Sequence, residues 1–271
     1  MTRRLLGGVL AAMAAFALVT APEASAATTT FSGTVALSNC SGSVVKPADT
    51  PDTAPALVMS NGHCLESGFP NPGEVITGQA SSRTFDLLSS DGQSTLGTLQ
   101  AKKIIYATMT DTDVSLYQLT STYAQIKQQY GVSPLELVTT HPTASTHIDV
   151  VSGYWKKIYS CSIDGFVHEL HENGWIWKDS IRYTPECKTI GGTSGSPIVE
   201  TATGKVIGIN NTSNENGERC TLNNPCEVDE SGNVTVHPDT KYGEETYGIP
   251  ACLSPANEIA LDQAGCTLPK P

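Results

Sequence analysis

Apolar residues recur along the chain in short runs, broken every few positions by Gly, Ser, Thr or Asn. The segment Phe31 to Val45 (FSGTVALSNCSGSVV) has this character, as do residues 84–89, 96–107 and 114–120. Ile148 to Tyr159, Gly165 to His171 and Trp175 to Lys178 supply three more strand candidates. Ser196 to Glu200 and Lys205 to Asn210 flank a turn at Thr201–Gly204. Period-two runs between turn residues predict strands, and many short strands predict an all-β chain, a sandwich or barrels. Helix candidates are few: Ser121 to Tyr130 (STYAQIKQQY) and a short terminal stretch, Pro255 to Gln263. Turn residues between Tyr130 and Thr146 predict a boundary between residues 27–140 and 141–271. Residues 211–245 are polar and turn-rich, and read as long surface loops.

The first 26 residues depart from this pattern. Arg3 and Arg4 precede an apolar run from Leu5 to Val19, and Ala24-Ser25-Ala26 offers a small-residue cleavage site. This is the layout of a signal peptide, so a secreted, extracellular protein is expected. All eight cysteines follow it, which predicts disulfides formed in an oxidising compartment. The count alone leaves their pairing open. No CxxC pair occurs, and neither a metal site nor a cofactor is expected. The net charge of −11, with no basic stripe, argues against nucleic acid and anionic membranes as partners. Protein or peptide substrates are the expected partners, and with no visible assembly motif a monomer is expected.

Three segments carry candidate chemistry. Ser194 stands in GGTSGSP (191–197), where three glycines permit a tight turn and close approach of a substrate backbone. The N–H groups of Gly192 and Ser194 could receive the negative charge of a tetrahedral intermediate. His63 stands in MSNGHC (59–64), at the end of an apolar strand and directly before Cys64. Cys40, on a neighbouring strand, is a suitable disulfide partner for Cys64. A histidine held there could act as general base. Asp113 stands in TDTDVSLYQL (110–119), where a polar turn meets an apolar strand. It could fix the histidine tautomer, with Asp111 as the competing candidate.

In this order and setting, the three segments resemble those of the chymotrypsin-like (trypsin-like) serine peptidase family. NGHC stands where the family usually has AAHC, DVSLYQL resembles its aspartate strand, and GTSGSP resembles GDSGGP. VSGY at 151–154 resembles a further family strand. The His–Asp and Asp–Ser separations, 113 − 63 = 50 and 194 − 113 = 81, suit two barrel halves. The resemblance implies two six-stranded antiparallel Greek-key barrels, with few short helices. It implies a serine endopeptidase working through an acyl-enzyme without a cofactor, with His63, Asp113 and Ser194 as the triad. An inactive protease-fold binding protein and a serine esterase are the alternatives.

The resemblance also implies disulfides Cys40–Cys64 and Cys187–Cys220, the latter tying the walls of the primary pocket. Cys252–Cys266 and Cys161–Cys226 would use the remainder, with Cys161–Cys187 as an alternative. Thr193 replaces the aspartate that pairs with a new N-terminus in animal members, and no IVGG-like segment occurs. The chain is thus closer to bacterial secreted members, with some glutamyl-endopeptidase-like features. Lys188 falls where the pocket floor is expected, and an inward lysine would favour acidic side chains. Thr189 matches a pocket threonine of glutamyl-specific relatives, whereas Asn210 stands where they carry histidine. Asn210, Asn211 and Thr212 are expected along the edge that holds extended substrate. HELH at 168–171 reads as an exposed strand edge rather than a metal motif.

Overall fold

A computed structural model of the chain describes residue 2 and residues 28–271; the expected signal peptide lies outside the described residues. Sixteen strands form one hydrogen-bonded sheet, of which thirteen lie on a single path that closes on itself twice and three branch from it. The first part contains β1 (Thr34–Ala36), β2 (Ser41–Pro47), β3 (Pro55–Ser60), β4 (Val75–Ala80), β5 (Thr84–Leu88), β6 (Thr95–Thr108) and β7 (Val114–Thr122). β1, β5, β6, β7, β3 and β2 form a six-stranded antiparallel ring, closed by pairing of β1 with β2. β4 lies beside the second half of the long β6.

A short helix, α1 (Tyr123–Tyr130), leads out of this barrel. Its start is a capping box: Thr122 Oγ1 accepts the Gln125 N–H at 3.2 Å, and Gln125 Oε1 accepts the Thr122 N–H at 2.8 Å. Gly131 ends it in the left-handed region, with φ 71°. β8 (Leu135–Leu137) then runs parallel to β2 and links the two barrels.

The second part contains β9 (His147–Ser152), β10 (Lys157–Glu172), β11 (Trp175–Tyr183), β12 (Pro197–Glu200), β13 (Val206–Ser213), β14 (Cys226–Val228), β15 (Val234–Thr235) and β16 (Lys241–Glu245). β13, β12, β9, β10, β11 and β16 form the second six-stranded antiparallel ring, closed by β13 against β16. The all-β, double-barrel architecture is therefore present.

Side-chain alternation fills the apolar cores. Val35, Val44, Val58, Phe85 and Leu119 fill the first barrel, and Ile148, Val150, Ile181 and Ile198 the second. Between them lie Val45, Leu57, Met59, Leu116, Val151 and Val199. β3 has Val58 in its own barrel and Leu57 and Met59 between barrels, so both faces are covered. That explains its unbroken apolar run ALVM.

Several expectations are corrected. Phe31 to Val45 is two paired strands, because Leu37 N–H bonds to Cys40 O at 2.9 Å and turns the chain. Pro255 to Gln263 is not helical. Asn257 takes φ 55°, and its buried amide donates to Pro55 O at 2.8 Å and Tyr123 Oη at 2.9 Å. The segment thus spends its polar groups on tertiary contacts rather than on a helix. Residues 211–245 are not only loops, since β16 lies there and closes the second barrel.

The disulfides are Cys40–Cys64, Cys161–Cys187, Cys220–Cys226 and Cys252–Cys266. The expected Cys187–Cys220 and Cys161–Cys226 pairs are wrong. Cys161 and Cys187 approach beside the apolar core of the second barrel, with Cα atoms 5.1 Å apart. Cys220 and Cys226 instead close a local turn, held by the Thr221–Asn224 bridge.

Candidate active site

β3 ends at Ser60 and the chain turns through Gly62–Cys64, which carries His63. Space decides the residue before the histidine: a Cβ on Gly62 would lie 2.1 Å from Thr108 O. Glycine therefore stands where the family usually has alanine. Cys64 ties the turn to Cys40, and Arg83 adds a second restraint. Arg83, buried, donates from Nη1 to Cys64 O at 2.6 Å and to Tyr117 Oη at 3.0 Å.

Asp113, immediately before β7, is fully buried and meets His63 twice. His63 N–H donates to Oδ1 at 3.1 Å, and Nδ1 lies 2.7 Å from Oδ2. The second contact fixes a proton on Nδ1 and leaves Nε2 as the ring's lone pair when the ring is neutral. Asn61 Nδ2 donates to Asp113 O at 2.7 Å, so the two turns are also joined through backbone. Burial disfavours the charged ring, but the charge and hydrogen bond of Asp113 and the nearby Glu172 outweigh it. The net effect raises His63 above its ordinary 6.5. Asp111 does not compete for this place: it pairs with Lys178 at 2.9 Å.

Ser194 comes from the other barrel, in the turn before β12. Its carbonyl accepts the Ser41 N–H at 2.8 Å, which ties the turn to β2 across the barrel boundary. Gly195 has φ 77°, and a Cβ there would lie 2.2 Å from Ser41 O and 2.3 Å from Ser60 Oγ. Ser194 Oγ donates to Asn211 O at 3.4 Å. Among the described residues no hydrogen bond joins it to His63, although both line one cleft. The Gly192 and Ser194 N–H groups have no acceptor among the described residues and remain available to a substrate oxygen.

Thr193 explains how the turn dispenses with the aspartate usual in animal members. Its Oγ1 donates to Ile190 O at 2.6 Å and accepts from Asn210 Nδ2 at 3.1 Å. Asn210 Oδ1 in turn accepts from Tyr183 Oη at 3.2 Å. A neutral network thus holds a place that would otherwise need an ammonium group.

Thr189, Asn210, Asn211 and Thr212 line the cleft with His63 and Ser194. Lys188 does not: it is exposed and lies outside the cleft wall. Sequence reasoning missed Glu172, at the end of β10, which lines the cleft and is 4% exposed. Burial raises its carboxyl, against hydrogen bonds from Thr212 Oγ1 at 2.6 Å and the Asn223 N–H at 2.9 Å. It also missed Phe69, whose ring stands edge-on to His63 at 5.7 Å and is backed by Trp175. HELH lies on β10, with His171 Nε2 2.8 Å from Glu169 Oε2 and no metal cluster there among the described residues.

A double barrel with a buried His–Asp pair on one half and a glycine-flanked serine on the other defines a class, the serine peptidases. A family model described as "Trypsin-like peptidase domain" matches residues 40–209, and the chain belongs to that family. The chain is a serine peptidase by that membership and by its His–Asp pair.

Among solved structures, the chain is similar to the MamO protease domain from Magnetospirillum magneticum. The two share 12% identity at a TM-score of 0.51, over 83% of this chain and 98% of that one. It is also similar to the thermostable serine protease AL20 from an extremophilic microorganism, at 17% identity and a TM-score of 0.47. That match covers 80% of this chain and 91% of that one. The protease Anisep from Arthrobacter nicotinovorans aligns at 15% identity and a TM-score of 0.46, over 81% and 92% of the chains. A search of curated proteins gave no match.

Proposed function

We propose that the protein is a secreted endopeptidase that cleaves protein or peptide chains through an acyl-enzyme. The observation that carries this reading is the doubly bonded His63–Asp113 pair facing the same cleft as Ser194. The half at 27–140 supplies the base and its carboxylate, and the half at 141–271 supplies the nucleophile and the cleft wall.

In this mechanism Ser194 Oγ leaves Asn211 O and turns to His63 Nε2 when substrate enters. Such bonds are commonly long before substrate is present. His63 takes the hydroxyl proton as Oγ bonds to the scissile carbonyl carbon. Asp113 keeps the proton on Nδ1 and stabilises the imidazolium. The carbonyl electron pair moves to oxygen, which the Gly192 and Ser194 N–H groups receive. His63 then gives its proton to the leaving amine. Water repeats the sequence and releases the acid product.

Among the described residues, the cleft wall carries Glu172 and Glu215 and no lysine or arginine. The acidic preference that an inward Lys188 would have given is therefore unsupported, and neutral or basic side chains suit the cleft better. Thr189, Asn210, Asn211 and Thr212 are the substrate-contacting residues in this reading. All cysteines are paired, which fits an oxidising, extracellular destination. No helix among the described residues is long and apolar enough to cross a membrane. A monomer without nucleic-acid or membrane partners completes the proposal.

The test is a diverse peptide library incubated with the protein and, in parallel, with Ser194→Ala, every cut being mapped by mass spectrometry. Internal cuts made only by the unmodified chain are expected, with turnover lost by about 10⁶-fold in the variant. Equal cutting by a folded Ser194→Ala variant overturns the assignment, and cuts clustered after Glu or Asp overturn the pocket reading.

A further inference from the structure

We propose that His141, Asp179 and Glu245 bind a divalent metal ion of the zinc type, at a site separate from the cleft. This departs from the expectation of no metal site, and it does not depend on the peptidase mechanism.

The residues come from three places. Asp179 lies on β11 and Glu245 ends β16, and the register of these strands sets Ile181 opposite Gly243. Two residues further along each strand stand Asp179, at φ 58°, and Glu245. Like charges brought this close repel unless something positive stands between them. His141 comes from the connection between the barrels and brings Nε2 to both carboxylates. It lies 3.1 Å from Asp179 Oδ2 and 2.9 Å from Glu245 Oε1. The three ligand atoms all lie within 4.8 Å of one another.

The orientation of the ring suits a bound cation. His141 Nδ1 lies 2.5 Å from Pro142 O, and a carbonyl can only accept, so Nδ1 carries a proton. In a neutral ring Nε2 then holds a lone pair aimed at the two carboxyl groups. A metal-bound histidine commonly donates its other N–H to a backbone carbonyl in this way. Protonating Nε2 does not satisfy the cluster. The N–H has acceptable geometry toward Asp179, and Glu245 Oε1 is left without a hydrogen-bond partner. That oxygen belongs to a side chain only 7% exposed, and it points into the cluster.

Among the described residues the neighbouring cations are engaged elsewhere. Lys178 pairs with Asp111, and Arg182 pairs with Asp164 and Glu227. Phe166 and Tyr247 pack on the His141 ring, at 4.5 Å and 5.3 Å between centroids, and hold it in place. One imidazole nitrogen with two carboxylate oxygens suits a borderline ion such as zinc better than calcium, which prefers oxygen alone. His141 and Asp179 are partly exposed, which leaves room for water to complete the coordination. A bound ion would pin the connection between barrels to the β11–β16 edge.

The experiment is a calorimetric titration of zinc chloride into the full Ser194→Ala protein, which prevents self-cleavage. Crystals soaked in zinc are examined by anomalous scattering. The expected result is one ion per chain, with a density peak about 2.0–2.2 Å from His141 Nε2. Affinity should fall at least about 10-fold in His141→Ala and, as a second folded variant, in Asp179→Asn. Calcium chloride should bind more weakly. The proposal is overturned by absence of binding, by affinity unchanged in both variants, or by a peak at His63 alone. It is equally overturned if zinc leaves the melting temperature unmoved, as a proton-bridged cluster predicts.

Discussion

The first barrel packs Val35, Val58, Phe85 and Leu119 inside, and its buried charged residues are Arg83 and Asp113. Both serve the His63 turn, one through the Cys64 carbonyl and one through the ring. The buried charged residues of the second barrel are Asp149, Glu172 and Glu244, with Glu245 close to burial. Glu244 reaches the proposed nucleophile indirectly: Asn211 Nδ2 donates to it at 2.9 Å, and Asn211 O accepts from Ser194 Oγ. Burial raises the Glu244 carboxyl well above its ordinary value, against the Asn211 bond, and the Asp113 and Asp179 charges push it further up. The first barrel thus fixes one buried carboxylate against His63. The second places Glu172 and Glu244 on the side of Ser194, and burial raises both carboxyl groups. Glu172 acts on His63, and Glu244 stands behind Ser194 through Asn211.

Breaking the first half of this comparison should have the largest effect. Asp113→Asn keeps the shape and one acceptor oxygen. That oxygen can still take the His63 N–H, which leaves the amide NH₂ facing Nδ1. The ring must then carry its proton on Nε2, where it cannot accept from Ser194. Turnover should fall by about 10⁴-fold, with little change in melting temperature. Stopped peptide assays and a thermal melt check both parts. Retention of more than a tenth of the activity would move the carboxylate role elsewhere.

Breaking the second half should cost stability more than chemistry. Glu244→Ala strands two donors, Asn211 Nδ2 and Ser180 Oγ, in a dry interior. Each buried unsatisfied group costs about 1–3 kcal/mol. The melting temperature should fall by roughly 2–4 °C for each kcal/mol at this chain length. Glu244→Gln keeps an acceptor oxygen and, since the native group favours its neutral form, should lie close to the unmodified chain. A Gln variant as damaged as the Ala variant would mean that Glu244 works as an anion.

The first barrel was the more legible half in the sequence, for a physical reason. Its strands alternate over an apolar core, and His63 and Asp113 sit where apolar runs meet turns. The second barrel closes with β16, whose sequence KYGEE carries two carboxylates and a glycine and reads as a loop. Its pairing is decided by the closure of the ring, which no local pattern encodes. The same segment hid Glu244 and Glu245. Glu172 was hidden in HELHE, where only the hairpin of β10 and β11 brings it to the cleft. The disulfides divide in the same way. Cys40 and Cys64 flank adjacent strands, whereas Cys161, Cys187, Cys220 and Cys226 are sorted by how β10 and the 211–226 segment fold.

Glu172 offers the smallest and sharpest test, because it is the second-barrel carboxyl that acts on the first-barrel base. Activity needs neutral His63, so kcat/KM should decline as pH falls through a value above 6.5, the ordinary histidine position. The raised value also fixes the sign for stability. The gain from pairing His63 is fully present below the unfolded value and fades as pH rises through the folded one. Asp113 is the dominant cause of the rise and Glu172 the lesser one. Glu172→Gln removes the smaller contribution while leaving an oxygen to accept from Thr212 or the Asn223 N–H. The acid limb of the kcat/KM profile should therefore move to lower pH, toward the ordinary histidine value, with the plateau at high pH little changed. A limb that stays in place would show that Glu172 is already protonated when His63 titrates. A limb that moves upward would contradict the electrostatic coupling of the two barrels altogether.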